Sequence, residues 1–202
     1  MSQKGKFIVM EGLDGAGTET QTKALVNYFK VLRTPVRMFS YPDYDGPIGK
    51  LIDEFLHGKY DLEVETQFIL YFADFLKDAK EIRRLLEQGE TVISDRYLTS
   101  TLAYQGLKGF PVENGLKAAE LFNLPKPDLV IYLGISSGTS MKRKLEEKGN
   151  LDRHEADKDL LTRVGEFYEK LANDNVFGKW LMIDGEKSRE EIFEEIKSNL
   201  GC

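Results

Sequence analysis

The stretch FIVMEGLDGAGTETQ, residues 7–21, decides how the rest of the chain is read. Its apolar run Phe7-Ile8-Val9-Met10 has the length and residue types of a buried strand, and the glycines that follow (Gly12, Gly15, Gly17) mark a tight turn. Helix-compatible residues begin at about Thr18. Strand, glycine loop and helix in that order make an anion cradle. Glycines let consecutive backbone N–H groups converge, and the helix N-terminus adds the positive end of a dipole. The spacing from Gly12 to Gly17 fits the phosphate-binding pattern G-x-x-x-x-G-K-[ST], but Thr18 and Glu19 fill its last two positions. On this stretch alone, a tight turn that holds no ligand is the competing explanation.

The totals bound the answer. With 202 residues, 41% hydrophobic and 31% charged, the chain suits one globular domain with a full core. Its 28 Lys+Arg against 34 Asp+Glu leave a net charge of −6. That balance argues against general binding to nucleic acid or anionic membrane, while a nucleotide pocket needs only a few local cations. The single cysteine, Cys202, allows no internal disulfide framework and points to a reducing cytoplasm. The N-terminal apolar run is too short for a secretory leader, and no run approaches the roughly 20 residues of a membrane span. His57 and His154 have no metal-ligand spacing with each other or with Cys202.

Further along, residues 24–32 repeat apolar side chains at helical spacing, and 36–40 reads as a second strand. Residues 41–47 (YPDYDGP) form a turn before a short helix at 48–57. The longest helical pattern covers 63–88, with Gly89 as its cap. A strand at 91–94 runs into Asp95-Arg96-Tyr97, and two small helices lead to a near-continuous apolar strand at 128–133. The charged segment 140–157, broken at Gly149, reads as a flap; a helix, a fifth strand at 180–183 and a closing helix complete the chain. Alternating strands and helices over one core imply a mostly parallel sheet, whose ligands bind beyond the carboxyl ends of the strands. Gly12–Thr20, Tyr41–Asp45 and Asp95–Tyr97 all fall at such ends.

EGLDGAG…TQ, YP…PIGK, DRY…S…AYQG, LPKPDLVIYL and LDR.E occur in an order and spacing that resembles the thymidylate (dTMP) kinases. The resemblance runs from about Phe7 to Ile196. It implies a three-layer α/β/α P-loop NTPase fold with a five-stranded parallel sheet and a charged lid at about 140–157. It also implies transfer of the γ-phosphoryl of ATP, with Mg²⁺, to dTMP in a cytoplasmic homodimer. Carried over residue by residue, Gly12, Leu13, Asp14, Gly15, Ala16, Gly17, Thr18, Glu19 and Thr20 would cradle the ATP phosphates. Arg143 and Arg153, with Lys142 near them, would supply lid cations. Asp14 would hold the acceptor sugar, Tyr71 would stack on thymine, and Phe75 and Ser100 would line the base. Tyr104 would crowd a ribose 2′-hydroxyl. Arg96 would bind the acceptor phosphate, and Asp95, with a hydroxyl from Thr20, would support Mg²⁺.

The departures from that family pattern all make the site less positive. Thr18 stands where relatives carry Lys, Glu19 where they carry Ser or Thr, Phe75 where a base-reading Arg is usual, and Tyr44 at another Arg position. The lid run Leu145-Glu146-Glu147-Lys148 replaces arginines. Two alternatives therefore stand beside an active dTMP kinase: a related nucleotide kinase with altered base choice, and a weakly active nucleotide-binding pseudo-kinase.

Overall fold

Five apolar runs become β1 (Phe7–Gly12), β2 (Val36–Ser40), β3 (Thr91–Asp95), β4 (Leu129–Gly134) and β5 (Trp180–Asp184). They form one parallel sheet in the order β2-β3-β1-β4-β5. The computed structural model describes residues 4–149 and 151–201, so Cys202 lies outside the described residues. Around the sheet run α1 (Thr18–Val31), α2 (Pro47–Leu56), α3 (Val64–Leu76), α4 (Ala79–Glu87) and α5 (Leu98–Leu107). They are followed by α6 (Val112–Leu121), α7 (Ser137–Lys148), α8 (Lys158–Asn173) and α9 (Arg189–Leu200).

Strand side chains alternate between two faces, and helices cover both. Phe7 and Val9 join a core with residues of α3, α4, α5 and α8. Ile8 and Met10 join another with Leu25, Phe29, Ile192 and Ile196 of α1 and α9. Every residue of β1 is buried, which is why its sequence reads as a continuous apolar run rather than an alternating one. The register sets Met10 and Ser40 opposite Asp95, and Gly12 opposite Leu133. The carboxyl ends of four strands therefore share one edge, and the glycine loop leaves from its middle.

The helix expected over 63–88 is two helices, α3 and α4, separated at Lys77-Asp78. The apolar spacing continues unbroken through Phe75, Ala79 and Ile82, so the pattern could not show the break. Polar contacts account for it. The Lys77 ammonium lies 3.4 Å from Asp43, 3.0 Å from Asp74 and 2.8 Å from Asp78. The Tyr41 hydroxyl donates to Asp78 at 3.0 Å, and the Asp43 N–H donates to the buried Asp74 carboxylate at 2.9 Å. These bonds tie the turn after β2 to the junction. Gly89 ends α4 with a positive φ of 83°, as expected of a glycine stop.

The flap expected over 140–157 is half helix. Ser136 caps α7, its hydroxyl accepting from the Thr139 N–H at 3.0 Å, and Gly149 closes the helix in the left-handed region. Only the stretch from 151 to 157 is irregular among the described residues of that segment.

The turn after β2 is also held from below. A Cβ at Gly49 of α2 would stand 1.9 Å from the Asp43 carbonyl oxygen. Gly49→Ala must therefore displace backbone, and we expect it to destabilise the protein by about 1–3 kcal/mol. Calorimetry should show a melting temperature lower by several degrees; an unchanged value would mean that the turn yields without cost.

Candidate active site

The loop leaving β1 has the backbone of an anion cradle. Gly15 and Gly17 take φ values of 78° and 91°, and Gly17 precedes the first turn of α1. A Cβ on Gly15 would come within 3.1 Å of the Ser140 carbonyl, so α7 presses directly on the loop. Ser140 donates to the Asp14 carbonyl at 2.6 Å, and Arg143 donates to the Gly15 carbonyl at 3.1 Å and to Gly185 at 3.3 Å. Of the lid cations, Arg143 is thus at the loop. Lys142 is exposed, and Arg153 points away, donating to Asp61 at 2.8 Å and lying 4.7 Å from the centre of the Phe55 ring. Lys144, which the sequence did not single out, is more enclosed than Arg143 and packs against Gly15.

At the two odd loop positions the structure separates inward from outward. Thr18 is buried beside Asp95, whereas Thr20 is exposed, so Thr18 rather than Thr20 brings a hydroxyl to that carboxylate. Glu19 turns to solvent and pairs with Lys23 one helical turn on. Its carboxylate is exposed, although its charge still helps to raise Asp95.

Asp95 is buried, and its Oδ1 has no hydrogen-bond partner among the described residues. Burial pushes its carboxyl up, while Arg96 and Thr18 hold it down. A lone oxygen donor beside a phosphate loop fits Mg²⁺, which takes one or two carboxylates and completes its shell with water and phosphate. Among the described residues no group of three or more His, Cys, Asp or Glu is arranged to hold a metal ion.

Arg96 stands at the centre of the acceptor side. Its backbone φ is 64°, the left-handed region that costs a non-glycine residue about 1–3 kcal/mol. Its guanidinium donates to Asp14 Oδ1 at 2.8 Å and reaches Ser100 Oγ at 3.4 Å. Tyr104 donates to the other Asp14 oxygen at 3.3 Å. Burial would raise the Asp14 carboxyl, but the Arg96 and Lys144 charges override it and hold that group below the usual carboxylate range. Asp14, Tyr71, Phe75, Arg96, Ser100 and Tyr104 all line one cleft. Phe75 lies at its base, edge-on to Tyr41 with ring centres 5.0 Å apart.

Several residues of the site escaped the sequence reading. Glu11 is fully buried and accepts from the N–H groups of Tyr97 (3.1 Å) and Ser100 (3.0 Å) and from the hydroxyls of Thr99, Ser100 and Tyr168. Ser100 is therefore committed to Glu11 rather than free for a base. Thr101 and Gln105 line the cleft, and their Oγ1 and Oε1 atoms are buried without hydrogen-bond partners among the described residues. Helical spacing could have found them, since 100, 101, 104 and 105 share one face of α5. His154 also lines the cleft, as does Tyr44, which the sequence marked only as a departure from the family's Arg. Nothing in composition or spacing brings His154 there from the lid.

Burial, reinforced by the Lys108 charge, lowers His154 to about 4. Lys108 and Arg153 oppose its protonation, while Asp14 and Asp157 favour it. The unfolded chain takes up this proton near pH 6.5 and the folded one only near 4, so His154 favours folding most above 6.5. We expect stability to fall on acidification through that window by on the order of 1 kcal/mol per pH unit from this residue. Denaturant titrations of wild type and His154→Gln at pH 7 and pH 5 check it; equal pH slopes would remove His154 as a source.

Residues 10–196 match the family model for thymidylate kinase. A probable thymidylate kinase of Methanocaldococcus jannaschii is 35% identical over 191 residues, covering 94% of this chain and 93% of that one. The thymidylate kinase of Dictyostelium discoideum is 32% identical over 200 residues, covering 98% of this chain and 86% of that protein. The solved thymidylate kinase structure from Candida albicans superposes with a TM-score of 0.79 at 24% identity, over 100% of this chain and 93% of that one, a likeness of fold. With a match of that extent over a phosphate loop, an Asp-Arg-Tyr strand end and a cleft between them, the chain belongs to the thymidylate kinase family.

Proposed function

We infer that the chain transfers the γ-phosphoryl group of ATP to the 5′-phosphate of dTMP, giving ADP and dTDP. The observation that carries this reading is the shared cleft of Asp14, Tyr71, Phe75, Arg96, Ser100 and Tyr104 at the mouth of the glycine loop. An oxygen of the acceptor phosphate attacks the γ-phosphorus in line. The bond to the bridging oxygen of ADP breaks as the new one forms. The acceptor is already largely dianionic near neutral pH, so no strong base is required.

Catalysis then rests on position and positive charge. Backbone N–H groups from Gly12 to Thr18 hold the donor phosphates. Arg96, aimed by Asp14, meets the acceptor phosphate with a planar fork of donors. Asp95, with Thr18 beside it, would hold Mg²⁺, and Thr20 would stay outside that set. A bound Mg²⁺ supplies neutralisation of the β- and γ-phosphate charge. Arg143 and Lys144 are the lid cations nearest the loop, whereas Arg153 and Lys142 lie farther from it. Lid closure would have to bring those two closer.

For the base, Tyr71 offers a stacking face and Phe75 an apolar floor without a donor. Gln105 Oε1 is an acceptor suited to the N3–H of thymine or uracil, which cytosine lacks. An apolar pocket distinguishes one methyl group by only roughly 1–3 kcal/mol. Steady-state kinetics with dTMP, dUMP, dCMP and UMP test the assignment. We expect dTMP to exceed dUMP by about 10-fold to 200-fold in kcat/KM, and both dCMP and UMP to be poor. Arg96→Ala should lower kcat/KM for dTMP by about 100-fold or more. Preference for dCMP would move the chain to a kinase of altered base choice, and no turnover of any acceptor would make it a nucleotide-binding pseudo-kinase.

The same reading gives a homodimer working in the cytoplasm. Support for the dimer comes from a face on α3 and α6, where Ile69, Leu121 and Phe122 are 63%, 74% and 50% exposed. The two helices are neighbours, with the Phe72 and Phe122 rings 5.8 Å apart, so these side chains extend one apolar surface. Light scattering at micromolar concentration should give twice the chain mass of 23.1 kDa. A mass of one chain would end the dimer proposal, and Leu121→Glu should produce that mass if the face is the interface. Among the described residues no helix is long and apolar enough to cross a membrane.

A further inference from the structure

The link from α7 to α8 lies against the acceptor cleft, and two neighbouring residues of it face opposite ways. Asp152 Oδ1 accepts from the N–H groups of His154 at 2.8 Å and Glu155 at 2.9 Å, a local turn that fixes the backbone. Arg153 leaves outward to Asp61, which is 91% exposed; such a pair contributes little. His154 goes inward and is only 7% exposed. Its ring stacks on Tyr104 of α5, centres 5.5 Å apart and planes 25° apart. His154 therefore anchors this segment together with Glu155, which is 2% exposed and lies 3.9 Å from the Lys144 ammonium.

The other end of the His154 anchor is Lys108, just beyond α5. Its ammonium lies 3.0 Å from His154 Nε2 and donates to Gln67 Oε1 at 3.0 Å. An ammonium only donates, so Nε2 accepts, and the neutral ring carries its proton on Nδ1. Gln67 Oε1 also receives Gln105 Nε2 at 3.3 Å, and Gln105, whose Oε1 is buried without a partner among the described residues, is one of the residues lining the cleft. One short polar chain thus runs from the cleft wall through Gln105 and Gln67 to Lys108, and from Lys108 to the lid.

We propose that Lys108 is a positioning residue that latches the lid segment through His154 and couples its docking to occupation of the acceptor cleft. The identity of the acceptor rests on the dTMP kinase reading; the latch itself does not. A base held by Gln105 fixes the amide, which fixes Gln67 and steadies the ammonium that the lid imidazole accepts from. By reciprocity, a docked lid tightens the acceptor.

Three variants of the full chain separate the parts. Lys108→Met keeps the apolar stem and removes the ammonium, His154→Phe keeps the ring stack and removes the acceptor atom, and Lys108→Arg keeps a donor. Amide hydrogen exchange over 151–157 reads docking, first without nucleotide and then with dTMP. We expect Lys108→Met and His154→Phe to exchange at least about fivefold faster than wild type there and to raise KM for dTMP about tenfold. The KM for ATP should stay near wild type, and Lys108→Arg should recover most of both effects. Unchanged exchange in both variants overturns the latch, and faster exchange with an unchanged KM for dTMP overturns the coupling. Wild-type protein that does not use dTMP would overturn the acceptor assignment alone, with the exchange of the nucleotide-free variants still deciding the latch.

Discussion

A carboxylate buried at the end of the central strand holds the two halves of the site together. Glu11 accepts from two backbone N–H groups and three hydroxyls drawn from the β3–α5 turn, from α5 and from α8. Burial pushes its carboxyl up, and Arg96 and the surrounding donors oppose that shift. Removing one partner of such a buried charged network typically costs several kcal/mol, because the remaining groups are left short of partners away from water. Glu11 is also the residue before the glycine loop. The strand end that starts the glycine loop therefore fixes the turn carrying Arg96, so the loop and that side of the cleft share one anchor.

Much of this was legible in the sequence because the relevant signals are local. Apolar runs located all five strands, and the glycine spacing located the loop. Six acceptor-side residues named from family resemblance fall in one cleft. What stayed hidden depends on tertiary contacts. The break between α3 and α4 follows from Lys77 and its three carboxylates, while the apolar period runs straight through it. The choice between Thr18 and Thr20 depends on which side of α1 meets Asp95, a matter of rotation about the helix axis. His154 reaches the cleft only because the chain beyond α7 folds back over it.

The substitutions that thin out positive charge also look different in three dimensions. Glu19 is directed to solvent and held by Lys23, which screens but does not remove its effect on Asp95. Phe75 has become part of an aromatic cluster with Tyr41 and Tyr97 rather than an empty place for a guanidinium. Arg143 and Lys144 of α7 are close enough to the loop to act on its charge. Among the described residues that line the cleft, Arg96, oriented by Asp14, is the one Lys or Arg present.

That role comes with a constraint on the backbone at Arg96. A left-handed φ of 64° is comfortable for glycine and strained for arginine. Glycine or asparagine at this position would relieve the strain but remove the guanidinium. Substituting Arg96 would thus release the backbone strain but leave Asp14 and the buried Glu11 without the charge that offsets them. The constraint on Arg96 is thus written in the backbone as well as in the motif.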